Sequence, residues 1–229
     1  MIKCGITGAS GVLGRRIIKL LPYKFYKFTE DITDINEVKK WVAKYNFDIL
    51  IHLAAKVPAK RVSKDYKNSY NVNVNGTLNL IDSLIEKKIK PRWLFFSSTS
   101  HVYKLNFKSH KISEKEKAYP QTKYGKTKFI AENYLRKKLN KSGIKICIGR
   151  IFSFTDKNQK TPFVIPSITK KIKLSKKKVT LHKLNHFRDF LNTKDIISAI
   201  DLLRKKNASG IYNIGTGKLF DLKIIAQLI

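Results

Sequence analysis

Apolar residues fall along this chain in two alternating rhythms. Ile2, Cys4 and Ile6 belong to a short apolar run, and Val12, Leu13, Ile17, Ile18, Leu20 and Leu21 then recur at helical spacing. The first pattern fits a buried strand and the second an amphipathic helix. The same pair repeats. Tyr23–Phe28 reads as a strand, followed by a helix from Asp34, a good N-cap with Glu37 three residues on, to about Tyr45. Phe47–Leu53 is the clearest buried strand, Tyr66–Lys88 a long helix, Trp93–Phe96 a strand, Tyr124–Leu139 a helix, and Ile144–Ile151 a strand. Strands alternating with helices predict an α/β fold built on a doubly wound parallel sheet.

From Phe152 the pattern loosens. Thr161–Leu174 reads as a loop and short helix carrying Pro162 and Pro166, and Lys170, Lys171, Lys173 and Lys176–Lys178 form a basic patch. Val179–Leu181 is a small strand, then comes His186–Phe190 (HFRDF), a helix from about Thr193 to Leu203, a strand in Gly210–Gly217 and a helix starting at Asp221. Two parts follow: residues 1–155 as the sheet domain, and 156–229 as a smaller lobe interleaved with the last sheet elements.

Between the first strand and helix stand Gly8, Gly11 and Gly14 in the spacing G-x-x-G-x-x-G. Strand, tight glycine turn and helix together make an anion site. One glycine allows the turn, the next lets a pyrophosphate approach the backbone, and the third lets helix and strand pack closely. The strand-to-helix context makes this a dinucleotide-binding signature. An acid at the end of the second strand, here Glu30, favours NAD, while Lys24 and Lys27 nearby keep NADP open. The strand Phe47–Leu53 ends in Ala54-Ala55, small residues at a strand end where ligands bind in such sheets. Asn71, Asn73 and Asn75 are unusual inside a helix, because Asn competes for backbone bonds; one of them is expected to hold a neighbouring loop. Trp93–Phe96 runs into Ser97-Ser98-Thr99-Ser100, four hydroxyls expected at the cleft. Tyr124 and Lys128 share one helix face at i and i+4.

Charge adds a further consideration. Lys and Arg total 48 against 16 acids, a net charge of +32. Such a surface attracts polyanions, so nucleic acid is a rival partner. The lysines are spread along the whole chain, which fits a solvated surface, and a phosphate-bearing substrate would gain from the same field. Hydrophobic content of 42% fits a soluble globular protein, and no apolar run reaches the ~20 residues that span a bilayer. The three glycines interrupt the N-terminal stretch too early for a signal peptide. Cys4 and Cys147 both lie in apolar runs and read as buried thiols, which implies a cytoplasmic protein with no membrane partner. There is no Cys/His cluster with metal spacing, so no metal site is expected.

These residues add up to a resemblance. The glycine turn, His52-Leu53-Ala54-Ala55, Asn73-Val74-Asn75-Gly76-Thr77, Ser98-Thr99, Tyr124-x-x-x-Lys128, Arg188-Asp189-Phe190 and Tyr212-Asn213-Ile214-Gly215 occur in the order seen in the NAD-dependent epimerase/dehydratase family, the extended short-chain dehydrogenase/reductases. The chain resembles that family over nearly its whole length. The resemblance implies a Rossmann sheet with a small C-terminal substrate lobe, reduced because the chain ends where members usually continue. It implies NAD or NADP as cofactor and a nucleotide-sugar substrate. The catalytic set it implies is Thr99, Tyr124 and Lys128, with Ser98 the fallback for Thr99. Cofactor contacts are Gly8, Ser10, Gly11, Val12, Leu13 and Gly14 at the phosphates, Asp31 and Ile32 near adenine, and Leu53, Ala54, Ala55 and Lys56 at the ribose and nicotinamide. Asn73, Phe152, Tyr124 and Lys128 complete that set. Substrate contacts are Ser98, Thr99 and Arg188, the last at the nucleotide diphosphate, where a guanidinium suits bidentate recognition; the alternative for Arg188 is an ion pair with Asp189.

A Tyr hydroxyl with its ordinary pKa of about 10 is a poor base at neutral pH. Lys128 and a cationic nicotinamide would favour its phenolate, so that Tyr124 moves a sugar hydroxyl proton as hydride moves at the same carbon. Sugar dehydratases of the family follow the Thr with Asp-Glu; here Ser100 and His101 follow, which disfavours dehydration and favours 4-epimerisation or 4-keto reduction, with surface-polysaccharide synthesis as the implied setting. Two rivals remain, a nucleic-acid binder and a non-catalytic dinucleotide sensor; the Thr99, Tyr124, Lys128 set argues against both. The resemblance also implies a homodimer through the two long helices.

Overall fold

The computed structural model describes residues 1–104, 112–175, 179–181 and 184–229. Each apolar run of the first half forms a strand, and each 3.6-residue pattern a helix. In order these are β1 (Lys3–Thr7), α1 (Val12–Leu20), β2 (Lys24–Lys27), α2 (Ile35–Lys44), β3 (Ile49–His52), α3 (Ala59–Lys64), α4 (Tyr66–Tyr70), a π-helical turn (Asn71–Asn75) and α5 (Gly76–Glu86). There follow β4 (Trp93–Thr99), a 3-10 turn (Ser100–Val102), α6 (Lys123–Leu139), β5 (Lys145–Ile151), β6 (Ser153–Thr155) and α7 (Val164–Leu174). The last elements are β7 (Phe187–Arg188), β8 (Phe190–Asn192), α8 (Thr193–Lys205), β9 (Gly210–Ile214), β10 (Phe220–Asp221) and α9 (Leu222–Gln227).

Among the described residues, six strands form one parallel sheet in the order β2-β1-β3-β4-β5-β9. Parallel strands covered on both faces carry continuous apolar runs, and all four positions of β3 are buried. Alternation along the strands separates two cores. Leu50, Leu94 and Phe96 pack on one face against Val38 and Val42 of α2, Leu80, Ile81 and Leu84 of α5, and Ala131, Leu135 and Leu139 of α6. Ile49, Ile51, Trp93 and Phe95 pack on the other against Leu13 and Ile17 of α1 and Ile196, Ile197 and Ile200 of α8. The doubly wound sheet is as expected, and the second part of the chain is interleaved with it through α8 and β9.

Several local readings hold in detail. Asp34 caps α2, accepting from the amides of Asn36 (2.8 Å) and Glu37 (3.4 Å). Cys4 and Cys147 are free, buried thiols on β1 and β5, with β3 and β4 between them; burial pushes Cys147 up to about 12 and Cys4 higher still. Among the described residues no helix is long and apolar enough to cross a membrane.

Three local readings change. The helix expected over Tyr66–Lys88 is broken into α4, the π turn and α5, and it stops at Glu86. Its asparagines are the reason: Asn71 and Asn75 bond to each other on the surface (2.8 Å), while Asn73 is fully buried and turns its amide inward. The Asn73 carbonyl accepts from the Thr77 hydroxyl within this turn, a side-chain bond that competes with the backbone ladder. The short helix α3 has no periodic signal in the sequence. Val179–Leu181 is not a strand, and of the basic patch Lys176–Lys178 lie outside the described residues.

One ion pair ties the first helix to the later lobe. Asp156, just after β6, accepts from Arg16 of α1 at Nε (2.8 Å) and Nη2 (3.1 Å), from the Asn158 amide (2.8 Å) and from the Thr193 hydroxyl that opens α8 (2.7 Å). Burial alone would raise its pKa, but these bonds outweigh burial and hold it at about 2. A carboxylate depressed in the folded state stabilises above its unfolded pKa and loses that contribution as pH falls through the folded one. Asp156→Asn is therefore expected to lower stability at pH 7 by about 2 kcal/mol. The difference from the parent chain should shrink as pH falls from 4 toward 2 in urea melts; a pH-independent difference would deny the linkage.

Candidate active site

The glycine turn is built as a cradle. Gly8 has φ +71°, and a Cβ there would lie 2.7 Å from the Ala54 amide nitrogen, so β1 exits in contact with the end of β3. A Cβ on Gly14 would lie 2.4 Å from the Gly8 carbonyl oxygen, so α1 packs on the turn with no room for a side chain. The Gly11 amide donates to the Gly8 carbonyl (3.0 Å), and Gly11 caps α1 with no side chain accepting from the first turn. Val12 opens the helix, Leu13 and Gly14 are buried in it, and Ser10 is exposed with its carbonyl accepting from Arg15. Free amides at the start of a nine-residue helix are what a phosphate needs.

Behind the cradle runs a chain of buried hydrogen bonds. The Ala54 amide donates to the Thr7 hydroxyl (3.3 Å), and that hydroxyl lies 2.6 Å from His52 Nδ1. His52 Nε2 lies 2.9 Å from the Thr77 hydroxyl, which itself donates to the Asn73 carbonyl (2.9 Å). Since Thr77 spends its proton on Asn73, His52 donates from Nε2 and accepts at Nδ1 from Thr7. Burial, with Lys128 adding to it, lowers its pKa to about 3, so the ring stays neutral. The Asn73 side chain accepts from the Lys56 amide (2.6 Å) and donates to the Lys56 carbonyl (3.3 Å) and to Thr127 of α6 (3.1 Å). Asn73 is fully buried and fixes the loop Leu53-Ala54-Ala55-Lys56 through both backbone groups of Lys56. That is the loop-holding role expected of one asparagine.

Beyond β2, the exposed Asp31 carboxylate accepts from the Thr33 amide (2.9 Å) and hydroxyl (2.8 Å). Those bonds, with Lys56 contributing, hold it below the usual carboxylate range. Ile32 is buried under Gly76, where a Cβ would meet it at 2.6 Å.

The expected catalytic set converges at the C-terminal end of β4. Thr122 caps α6 by accepting from the Gly125 amide (3.0 Å), and Gly125 admits the His101 carbonyl so closely that a Cβ would lie 2.1 Å from it. This contact locks the head of α6 onto the 3-10 turn. The Tyr124 hydroxyl lies near Thr99, whose side chain favours its ionised form, and Lys128, one turn on, is 2% exposed with its ammonium over the Phe96 ring at 4.3 Å. Burial pushes Tyr124 up to about 12 against the smaller downward effect of Thr99. Burial likewise lowers Lys128 to about 7, with Glu132 opposing. The phenolate expected beside Lys128 is thus not the form this geometry holds unaided: the site rests as a phenol.

Ser98 is not brought to the cleft. Alternation along β4 turns it to the other face, where it is 3% exposed and donates to Glu132. Its hydroxyl is committed to Glu132, whereas Thr99 lies by Tyr124. Glu132 in turn holds Arg150 in a buried bidentate pair (Nη2 2.8 Å, Nε 3.2 Å), and Arg150 lies over the Tyr103 ring at 4.8 Å. Sequence reading missed this pair, although Arg150 as a charge set among the buried positions of KICIGRI and Glu132 four residues after Lys128 were visible signals.

Arg188 does not pair with Asp189. The Asp189 carboxylate accepts from the amides of Thr216 (3.0 Å) and Gly217 (2.8 Å) and from the Thr216 hydroxyl (2.8 Å), fixing the turn after β9. Arg188 donates to the Ser153 hydroxyl (3.4 Å), and its charge contributes to lowering the pKa of His101. Phe152 packs between the sheet and this segment, against Gly215.

Known proteins resemble this chain in sequence and in fold. The GDP-6-deoxy-D-mannose reductase of Pseudomonas aeruginosa is 26% identical over 188 residues, covering 80% of this chain; the matched stretch is 62% of the reductase, under two thirds of its length. The GDP-6-deoxy-D-talose 4-dehydrogenase of Aggregatibacter actinomycetemcomitans is 28% identical over 239 residues, covering 100% of this chain and 79% of that enzyme. Among solved structures, RMD from Pseudomonas aeruginosa complexed with NADPH matches with a TM-score of 0.90 at 22% identity, over 100% of this chain and 81% of that one. UDP-glucose 4-epimerase from Thermotoga maritima with UDP-glucose matches with a TM-score of 0.87 at 20% identity, over 99% and 81%. At those identities the structures attest the shared fold. Residues 6–228 match the family described as GDP-mannose 4,6 dehydratase, and the chain belongs to that family, within the NAD-dependent epimerase/dehydratase superfamily.

Proposed function

We propose that this chain binds NAD or NADP in the glycine cradle and reduces the 4-keto group of a nucleotide sugar, with 4-epimerisation as the second reading. The observation that carries the proposal is Tyr124 set against Thr99 at the end of β4, with Lys128 buried one helical turn away. The free amides at the head of α1, and glycines whose places no side chain can take, fit a pyrophosphate. When bound, the nicotinamide supplies the hydride. The rest is work for this chain: Thr99 orients the sugar oxygen, Tyr124 gives it a proton, Lys128 supports the nicotinamide ribose and replenishes charge, and Arg188 meets the diphosphate. Keto reduction is favoured because it starts from the phenol, the form that burial stabilises in Tyr124. Dehydration, the reaction in the family's description, would need the acidic pair whose places Ser100 and His101 occupy.

The test is reduction of dTDP-4-dehydro-6-deoxyglucose and its GDP-linked counterpart with NADH or NADPH, followed at the nicotinamide absorbance, together with mass spectrometry of whatever dinucleotide copurifies. Reduction of either ketone is expected. No dinucleotide binding and no reduction would remove the proposal. The homodimer through α5 and α6 is part of the same reading and is checked by sedimentation.

A further inference from the structure

The cradle and Tyr124 lie at the C-terminal edge of the parallel sheet. The opposite edge, where the strands begin, takes no part in that chemistry, and its charge is one-sided. We propose that this edge is a docking face for the surface of an anionic lipid bilayer, on which the chain rests peripherally with its cleft turned to the aqueous side. Such a contact departs from the expectation of no membrane partner, and it is independent of what the cleft turns over.

Neighbouring strands start in one hydrogen-bonded row. Lys24 of β2 is in register with Lys3 of β1. The Asp48 amide donates to the Lys3 carbonyl (2.8 Å), the Arg92 amide to the Asp48 carbonyl (2.9 Å) and the Lys145 amide to the Arg92 carbonyl (3.2 Å). Lys3, Lys24, Arg92 and Lys145 are all exposed. Asp48, the acid in the row, spends a carboxylate oxygen on the Lys3 amide (2.8 Å). Adjacent strands lie about 4.8 Å apart, inside the ~8 Å over which charges act on one another at physiological salt. The row therefore works as one source of field.

Helices that join parallel strands run back against them, so their C-terminal turns meet the same edge. Those turns carry Lys19 of α1, Lys44 of α2, Lys137 of α6 and Lys205 of α8. The helix dipole alone favours cations there, but it gives no reason for the row on the strands. Acids at this edge are already shared. Glu86 meets both Lys39 (2.6 Å) and Lys87 (3.4 Å), and Asp201 meets both Arg204 (3.2 Å) and Lys205 (2.8 Å). Asp34 and Asp65 sit at the opposite edge, where they cap α2 and α4.

Aliphatic side chains stand among these cations. Leu20, Ile85 and Leu202 are 45%, 45% and 53% exposed in the last turns of α1, α5 and α8. Cations with aliphatic tips between them match the headgroup region of an anionic bilayer. Nucleic acid asks for other features: an element that enters a groove, or aromatic faces on which bases stack. Strand starts and helix ends enter no groove. Among the described residues the exposed aromatic side chains are Tyr119, ahead of α6, and Phe187 and Phe220, in the β7–β10 pair, all away from this edge.

Cosedimentation of the full chain with lipid vesicles tests the proposal. Vesicles of equal parts phosphatidylcholine and phosphatidylglycerol should bind it at physiological salt and release it as salt rises; phosphatidylcholine alone should not bind it. The variant Lys3→Gln/Arg92→Gln/Lys145→Gln should bind the mixed vesicles about a hundredfold more weakly. Lys60→Gln/Lys64→Gln/Lys67→Gln removes the same charge from exposed positions on α3 and α4 and should bind as the parent does. None of these side chains makes a hydrogen bond or ion pair among the described residues, so both variants should fold. Should the first melt early, Lys19→Gln/Lys90→Gln/Lys137→Gln reads the same edge from other elements. Equal loss at both edges would show a diffuse charge and overturn the face. Equal binding to neutral and mixed vesicles, or no binding at physiological salt, would overturn it too. So would homopolymer RNA bound more tightly than the vesicles and released by the strand-row variant, which would give the edge to nucleic acid.

Discussion

Tyr124→Phe is expected to lower the rate of 4-keto reduction about 10²–10⁴-fold while leaving dinucleotide affinity within about twofold. The ring of Tyr124 packs edge-on against His101 and keeps that contact as Phe, and Thr122 and Gly125 set the head of α6 independently of the hydroxyl. What vanishes is the proton donor beside Thr99. The binding cradle lies at Gly8, Gly11 and Gly14, on elements that Tyr124 does not build. Stopped-flow oxidation of NAD(P)H measures the first quantity and quenching of protein fluorescence by the dinucleotide the second. A variant that turns over normally would take Tyr124 out of the chemistry; one that loses dinucleotide binding would make it a structural residue. The pH profile carries a further sign. Lys128, lowered to about 7, sheds its proton as pH rises through neutrality, so the parent rate should fall on that limb.

The parts of this site that a sequence displays are those fixed by local spacing. Gly8, Gly11 and Gly14 are readable because the turn they make is completed within seven residues. Tyr124 and Lys128 are readable because one helical turn separates them. The sheet was legible because parallel strands, covered on both sides, write themselves as unbroken apolar runs. The rest depends on what comes alongside from elsewhere in the chain. Ser98 and Thr99 look alike in sequence, and only pairing in the sheet decides which one faces Tyr124. Asn71, Asn73 and Asn75 look alike too, until packing buries one and leaves it to bind Lys56. Spacing suggests a tyrosine sharpened by its lysine and a bound nicotinamide, but it does not show how far burial raises Tyr124 and lowers Lys128. The neutral His52 relay needs Thr7, Thr77 and Asn73 from three elements, and no single window of sequence contains it.

Glu132→Ala is expected to destabilise the folded chain by about 3–5 kcal/mol, because it strands a buried guanidinium. Glu132 is 1% and Arg150 4% exposed in their side chains, and no other carboxylate among the described residues pairs with Arg150. Truncation also removes the acceptor of Ser98 and the carboxylate that opposes the lowering of the Lys128 pKa. The ammonium of Lys128 should then be lost at lower pH, so activity at neutrality should fall beyond what unfolding explains. Calorimetry should show a melting point lower by roughly 10 °C for a chain of this size. The double variant Glu132→Met/Arg150→Met separates the causes. A buried ion pair replaced by apolar groups of similar volume is close to neutral, so the double variant should recover most of the lost stability. It should not recover the pH profile, since the carboxylate beside Lys128 is still missing. If the double variant melts as low as the single one, the loss comes from packing around Tyr103 and β5 rather than from an unpaired charge. If its pH profile also returns to that of the parent, Glu132 has no hold on Lys128.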